Sequence, residues 1–266
     1  MDDVRVRNKV KVIGAGGQTL VFAHGFGCDQ SMWQYITPSF EQQYRLVLFD
    51  YVGSGNSDLS AYSAERYGTF RGYVQDLLDV IDLLRLTDII FIGHSVSSMI
   101  GMLASIERPD LFAKMVMIGP SPRYLNDGDD YYGGFEKSDI TELLEMMEMN
   151  FSGWASFMAP LAMKNPEQPQ LTQDLERSFI SADPVITREF AEVTFLSDHR
   201  HSLADATVPT LILQCSDDSI VPIQVGEYLH KHLKNSEFRL LKAKGHYPHI
   251  SHPEETATLI NEYLQI

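Results

Sequence analysis

At 266 residues with 44% hydrophobic side chains, the chain is long enough for one large domain, or a domain carrying a sizeable insertion, around a substantial core. Its 21 basic against 36 acidic residues give a formal charge of −15, which repels nucleic acid and anionic membrane surfaces. Two cysteines outside any C-x-x-C pair, an N-terminal stretch lacking an apolar leader core and no apolar run of membrane-spanning length lead us to expect a reducing, cytoplasmic setting.

Residues 9–13 alternate in polarity, which suggests an antiparallel edge strand. Gly14-Ala15-Gly16-Gly17 then reads as a hairpin turn. A dinucleotide-binding loop would need a helix next, and the following run, 19–23, is strand-like. Further β-rich runs cover 45–49, 89–92, 115–118, 210–213 and 238–241. Most are apolar without alternation, as strands covered on both faces should be. Helix-like segments lie near 70–85, 95–107, 222–233 and 254–264. The alternation predicts an α/β protein with a mostly parallel central sheet and helices on both faces.

Between 121 and 200 no strand-like run occurs. Ile140, Leu143, Leu144, Met147 and Phe151 mark one helical face, with Glu142, Glu145 and Glu148 mostly off it. Helical segments near 153–163, 168–179 and 183–197 are punctuated by Pro160, Pro166, Pro169 and Pro184. The expected division is a core of 1–120 and 201–266 with a helical lid of 121–200. Met146, Met147, Met149, Met158 and Met163, with Trp154, Phe157 and Phe195, are soft or aromatic side chains suited to an apolar ligand. Filling the lid's own core is the plainer role for any single one of them.

The chemistry centres on Phe91-Ile92-Gly93-His94-Ser95-Val96-Ser97-Ser98. An apolar strand delivers Ser95 to a tight turn and a helix of small residues starts at once, the nucleophile elbow G-x-S-x-G with Ser97 at the last position. The alternative is a strand-to-helix turn with Ser95 as an N-cap. A serine nucleophile needs a base and a group to orient it, supplied along the chain in the order serine, acid, histidine. Cys215-Ser216-Asp217-Asp218-Ser219-Ile220-Val221-Pro222 follows one strand, and Lys244-Gly245-His246-Tyr247-Pro248-His249 follows the next. His246 is the expected general base and Asp218 the expected acid, with Asp217 as competitor. The second oxyanion donor, beside the N–H of Val96, falls to the N–H of Phe26 in the loop His24-Gly25-Phe26-Gly27. His24 reads as a loop-bracing hydrogen bonder, and the segment 50–57 as a structural turn. His246, His249 and His252 could be taken for a metal cluster, but Pro248 and Pro253 break the helix that would align them. No metal or cofactor enters this scheme. The absence of Asp at the nucleophile position argues against haloalkane dehalogenase and epoxide hydrolase chemistry.

These segments, together with Gly27-Cys28-Asp29-Gln30-Ser31, Gly101-Met102-Leu103-Ala104-Ser105-Ile106, Tyr124-Leu125-Asn126-Asp127 and Tyr132-Gly133-Gly134-Phe135, give the chain a specific resemblance over nearly its whole length. It resembles the RsbQ-like α/β-hydrolases, bacterial stress-response regulators related to the plant karrikin and strigolactone receptors. Leu143-Leu144-Glu145-Met146-Met147-Glu148 and Ser197-Asp198-His199-Arg200 look closer to the bacterial members, whereas Ser97 matches the plant G-H-S-V-S. The resemblance implies an α/β-hydrolase core under a four-helix, V-shaped lid and a small, enclosed apolar pocket over Ser95, His246 and Asp218. It implies Phe26 and Val96 as oxyanion donors and Phe26, Tyr124, Trp154, Met158 and Phe195 as pocket lining; Met158 stands where plant receptors carry an aromatic residue. It also implies a PAS-domain protein phosphatase as partner and a role in activating a stress sigma factor. Two functions follow as expectations: hydrolysis of a small apolar ester or lactone, and a signalling module whose triad makes or senses such a ligand. A slow-turnover receptor of the strigolactone or karrikin kind is a variant of the second. A catalytically dead scaffold is disfavoured because all three triad residues are present.

Overall fold

Thr19–Ala23 (β2) is buried at every position because neighbours flank it on both edges and helices cover both faces. The computed structural model of the chain describes residues 3–265. Its strands are Lys11–Ile13 (β1), β2, Arg45–Phe49 (β3), Ile89–His94 (β4), Phe112–Ile118 (β5), Thr210–Asp217 (β6) and Ser236–Lys244 (β7). They form one seven-stranded sheet in the order β1-β3-β2-β4-β5-β6-β7. β1 is antiparallel to β3, and all other pairs are parallel. Val21 lies beside Val47 on one side and Phe91 on the other, so the apolar runs stack into one continuous core.

The edge-strand expectation for 9–13 agrees with β1, but the hairpin does not. β1 pairs with β3, not β2, so the glycine-rich segment crosses over the start of β3. A Cβ on Gly14 would lie 2.3 Å from the Tyr44 carbonyl oxygen, and one on Gly16 would lie 2.0 Å from that of Gln43. The glycines are there for close backbone passage. Local turn composition cannot distinguish that from a hairpin.

The helices are Val4–Arg7 (α1), Ala64–Tyr67 (α2), Phe70–Leu83 (α3), Val96–Glu107 (α4), Lys137–Met149 (α5), Phe151–Met163 (α6), Pro169–Ser181 (α7), Pro184–Phe195 (α8), Ile223–His232 (α9), Pro248–Ser251 (α10) and Pro253–Leu264 (α11). Helices α5 to α8 form the insertion between β5 and β6. α6 packs on α7, and α5 on α6 and α8. A capping box between Glu136 and Asp139 starts α5, whose buried face is Ile140, Leu144 and Met147. Among the described residues no helix is long and apolar enough to cross a membrane.

Candidate active site

Every residue picked out for chemistry follows a parallel strand at its carboxyl end, where ligands bind in such sheets. β4 ends at His94, and Ser95 takes φ 55° and ψ −121° before α4 begins. That backbone is costly for an L residue. It is held by the Ser95 N–H on the Ile118 carbonyl at 2.8 Å and by the Ser98 hydroxyl on the Gly93 carbonyl at 3.0 Å. Ser95 makes no side-chain cap to α4. Its Oγ lies 2.8 Å from Nε2 of His246 instead. Ser97, in the glycine position of the elbow pattern, donates its hydroxyl to the His24 carbonyl at 2.5 Å and lies 3.2 Å from the Tyr51 hydroxyl. It ties α4 to the loop after β2.

His246 Nδ1 lies 2.7 Å from Asp218 Oδ2, and both side chains are shut away from solvent. The other oxygen of Asp218 accepts the N–H groups of Ile220 at 2.8 Å and Val221 at 3.1 Å, which fixes the carboxylate in place. Asp217, the competing acid, is exposed at the end of β6 and pairs with Lys164 at 2.5 Å. The imidazole thus faces Asp218 on one side and Ser95 on the other. A carboxylate only accepts, so Nδ1 carries the ring proton and Nε2 is left to accept from Ser95.

The N–H groups of Phe26 and Val96 have no hydrogen-bond partner among the described residues. They belong to the segments on either side of the serine, as an oxyanion site requires. His24 accepts the Tyr51 N–H on Nε2 at 3.2 Å, and its Nδ1 lies 2.9 Å from the Gly25 carbonyl. Asp50 accepts from the backbone of Gln30 and of Asn56, each at 2.9 Å, and so joins this loop to the 50–57 turn. His249 packs on the Trp33 ring at 4.6 Å between centroids, and His252 bonds Ser251 at 2.9 Å. Among the described residues no group of three or more His, Cys, Asp or Glu side chains could hold a metal ion.

Phe26, Tyr124, Trp154, Met158 and Phe195 line one chamber over Ser95 and His246. The Phe26 ring lies 6.0 Å from Trp154 and 5.8 Å from Phe195, with Tyr124 5.0 Å from Phe195. The chamber holds about 30 Å³ of free space. A cavity of about 330 Å³ adjoins it across Leu143, Trp154, Met158 and Ile220. Of the five lid methionines, Met158 lines the inner chamber and Met146 the outer, while Met147 and Met163 are core and Met149 is exposed. The sequence reading missed Phe179, Thr194 and Ile220 in the inner wall. It also missed Gly119, where a Cβ would lie 3.1 Å from Cε1 of His246. The Gly-Pro step that follows β5 was the one local signal for that last residue.

A parallel sheet reversing to an antiparallel edge, with a strained serine after a central strand and a histidine and a carboxylate after two later strands, defines an α/β-hydrolase. The chain belongs to the α/β-hydrolase fold family, whose model matches residues 18–253. A strigolactone esterase of Arabidopsis thaliana is 41% identical over 96% of this chain and 95% of its own length. A karrikin insensitive 2 receptor of Petunia hybrida is 40% identical over 96% and 94%. Among solved structures, a hydrolase from Oleispira antarctica superposes with a TM-score of 0.97 at 40% identity, covering 99% of this chain and 97% of that one.

Proposed function

We propose that the protein hydrolyses a small, largely apolar ester or lactone through a Ser95–His246–Asp218 triad. The observation that carries this is the unbroken chain from Ser95 Oγ through His246 at 2.8 Å to Asp218 at 2.7 Å. Ser95 gives its proton to Nε2 while Oγ bonds to the substrate carbonyl carbon. The oxyanion is met by the N–H groups of Phe26 and Val96. The protonated imidazole then gives its proton to the leaving alkoxide, and water repeats the sequence to release the acid. Asp218 keeps the imidazole in the working tautomer. Residues 121–200 act as the lid over a core of 1–120 and 201–266, and Phe26, Tyr124, Trp154, Met158 and Phe195 hold the substrate away from water. The relatives named as esterases support the ester-hydrolase reading.

Ser95→Ala is expected to lower p-nitrophenyl acetate hydrolysis by about 10⁴-fold or more with the fold kept. Intact mass after substrate addition should find an acetyl adduct on the parent chain and none on the variant. Equal activity in the two would dismiss the triad.

A second reading puts a signalling output on the same site. The observation that favours it is the match, at 40% identity over 96% of the chain, to a protein named as a receptor. On this reading turnover is slow and the partner is a PAS-domain protein phosphatase, as in RsbQ-like stress signalling. Rapid turnover of simple esters with no binding to such a phosphatase would eliminate it.

A further inference from the structure

The Tyr124 hydroxyl lies 3.3 Å from Ser95 Oγ, and that serine is its one hydrogen-bond partner among the described residues. The side chain is 1% exposed, and its ring is set edge-on against Phe195. The direction of the contact follows from the triad. Ser95 has a single hydroxyl proton, and it points at Nε2 of His246, 2.8 Å away. Toward Tyr124 the serine therefore presents a lone pair, and the phenol is the donor. Burial pushes the Tyr124 pKa up to about 12, so the phenol keeps its proton through the working range.

We propose that Tyr124 is a further catalytic residue, which donates a hydrogen bond to Ser95 Oγ as the serine leaves the acyl-enzyme. The inference rests on Ser95 being the nucleophile. In the free enzyme the hydrogen bond is already present, so acylation gains little from it. In the acyl-enzyme, Oγ is an ester oxygen and a poor acceptor. Water attacks the acyl carbon and passes a proton to Nε2. The C–Oγ bond then breaks, its electron pair goes to Oγ, and Oγ takes the proton back from Nε2. As Oγ gains charge, the phenol can tighten from 3.3 Å toward an ordinary O–H···O length. The phenol proton stays on tyrosine throughout. The assistance therefore falls on deacylation more than on acylation.

The test is Tyr124→Phe, which keeps the ring, with p-nitrophenyl acetate as probe. The acetyl-enzyme is isolated rapidly, and its decay is followed by intact mass. We expect decay to slow by about three- to tenfold, the value of one hydrogen bond. kcat/KM, which reports acylation, should stay within about twofold, and the p-nitrophenol burst should grow toward one per chain. Unchanged decay, or kcat/KM falling as much as the decay rate, overturns the proposal while leaving the triad intact. An acetyl adduct persisting in Ser95→Ala would instead remove the triad reading beneath it. Should Tyr124→Phe lose its fold, 3-fluorotyrosine placed at position 124 decides: the more acidic phenol should speed decay, and a slower or equal rate overturns the proposal.

Discussion

The residues nearest His246 include one with no side chain. Gly119 follows β5 at φ +59°, and a Cβ there would lie 3.1 Å from Cε1 and 3.2 Å from Nδ1 of the imidazole and 3.7 Å from Asp218 Oδ2. Two effects act together on Gly119→Ala. The left-handed backbone costs about 1–2 kcal/mol for any residue with a Cβ, and the methyl pushes the ring off the serine. The contact is relieved by a shift of a few tenths of an ångström, a fraction of the ~1 Å misplacement that costs such a constellation about a hundredfold in rate. We expect kcat to fall about three- to tenfold with a modest loss of thermal stability. Full activity in a variant with a lowered melting temperature would mean that the imidazole does not depend on this contact. The segments that carry Ser95, Asp218 and His246 were legible as short local motifs, because each fits within a few residues of a strand end. Gly119 was not, since its neighbour is 127 positions away in sequence and is brought close only by the β5–β6–β7 pairing.

At the scale of elements, α6 does two jobs. Its inner face supplies Trp154 and Met158 to the chamber, and its last turn braces the histidine loop. The His246 N–H donates to the Ala162 carbonyl at 2.7 Å. Asn165, just past the left-handed Lys164 cap, donates to the carbonyls of Met163 at 2.6 Å and Lys244 at 3.2 Å. The end of α6 is thus tied to the loop that carries His246. Asn165→Ala leaves the buried Met163 carbonyl and the part-buried Lys244 carbonyl short of a donor, and we expect a loss of about 1–3 kcal/mol in urea unfolding. Because the lost bonds flank His246, kcat should fall severalfold as well. A purely structural role would lower stability and leave kcat alone. The four insertion helices were readable from their apolar periodicity and proline boundaries. The clasp between α6 and the histidine loop was not, because it is made by backbone carbonyls, which leave no mark on side-chain pattern. The strands β6 and β7 also run past the apolar stretches 210–213 and 238–241, since Gln214, Ser216 and Lys242 interrupt an apolar run that the strands nevertheless continue through.

Across the whole molecule, burial of histidines sets the response to acid. His249 is fully buried, with both ring nitrogens lacking a hydrogen-bond partner among the described residues, and its ring packs 4.6 Å from Trp33 and 4.6 Å from His94. Burial, and then the nearby His246, hold its pKa down at about 3. His94 is likewise pushed well below the ordinary histidine value, chiefly by burial and then by His249 and His246, and its Nε2–H donates to the His246 carbonyl, 2.8 Å away. Above an ordinary histidine pKa of about 6.5 each ring is neutral in both the folded and the unfolded chain, and protonation of neither group affects stability. As pH falls below that value the unfolded chain takes up protons that the folded chain refuses, so stability drops by about 1.4 kcal/mol per pH unit for each ring. For His249 this continues until pH nears 3, where the folded state protonates too. Relief of repulsion among the excess acidic residues, at a net −15, opposes the loss but is spread over a solvated surface and is screened by salt. His249→Phe keeps an aromatic ring against Trp33 and removes one titrating site. Urea unfolding between pH 7.5 and 4.5 should give a variant at least as stable as the parent at the top of that range. Its stability should fall less steeply with acid, by about one proton's worth, or 1.4 kcal/mol per pH unit. Parallel stability curves for the two proteins would mean that acid enters elsewhere, and that the buried histidines are not what limits this fold at low pH.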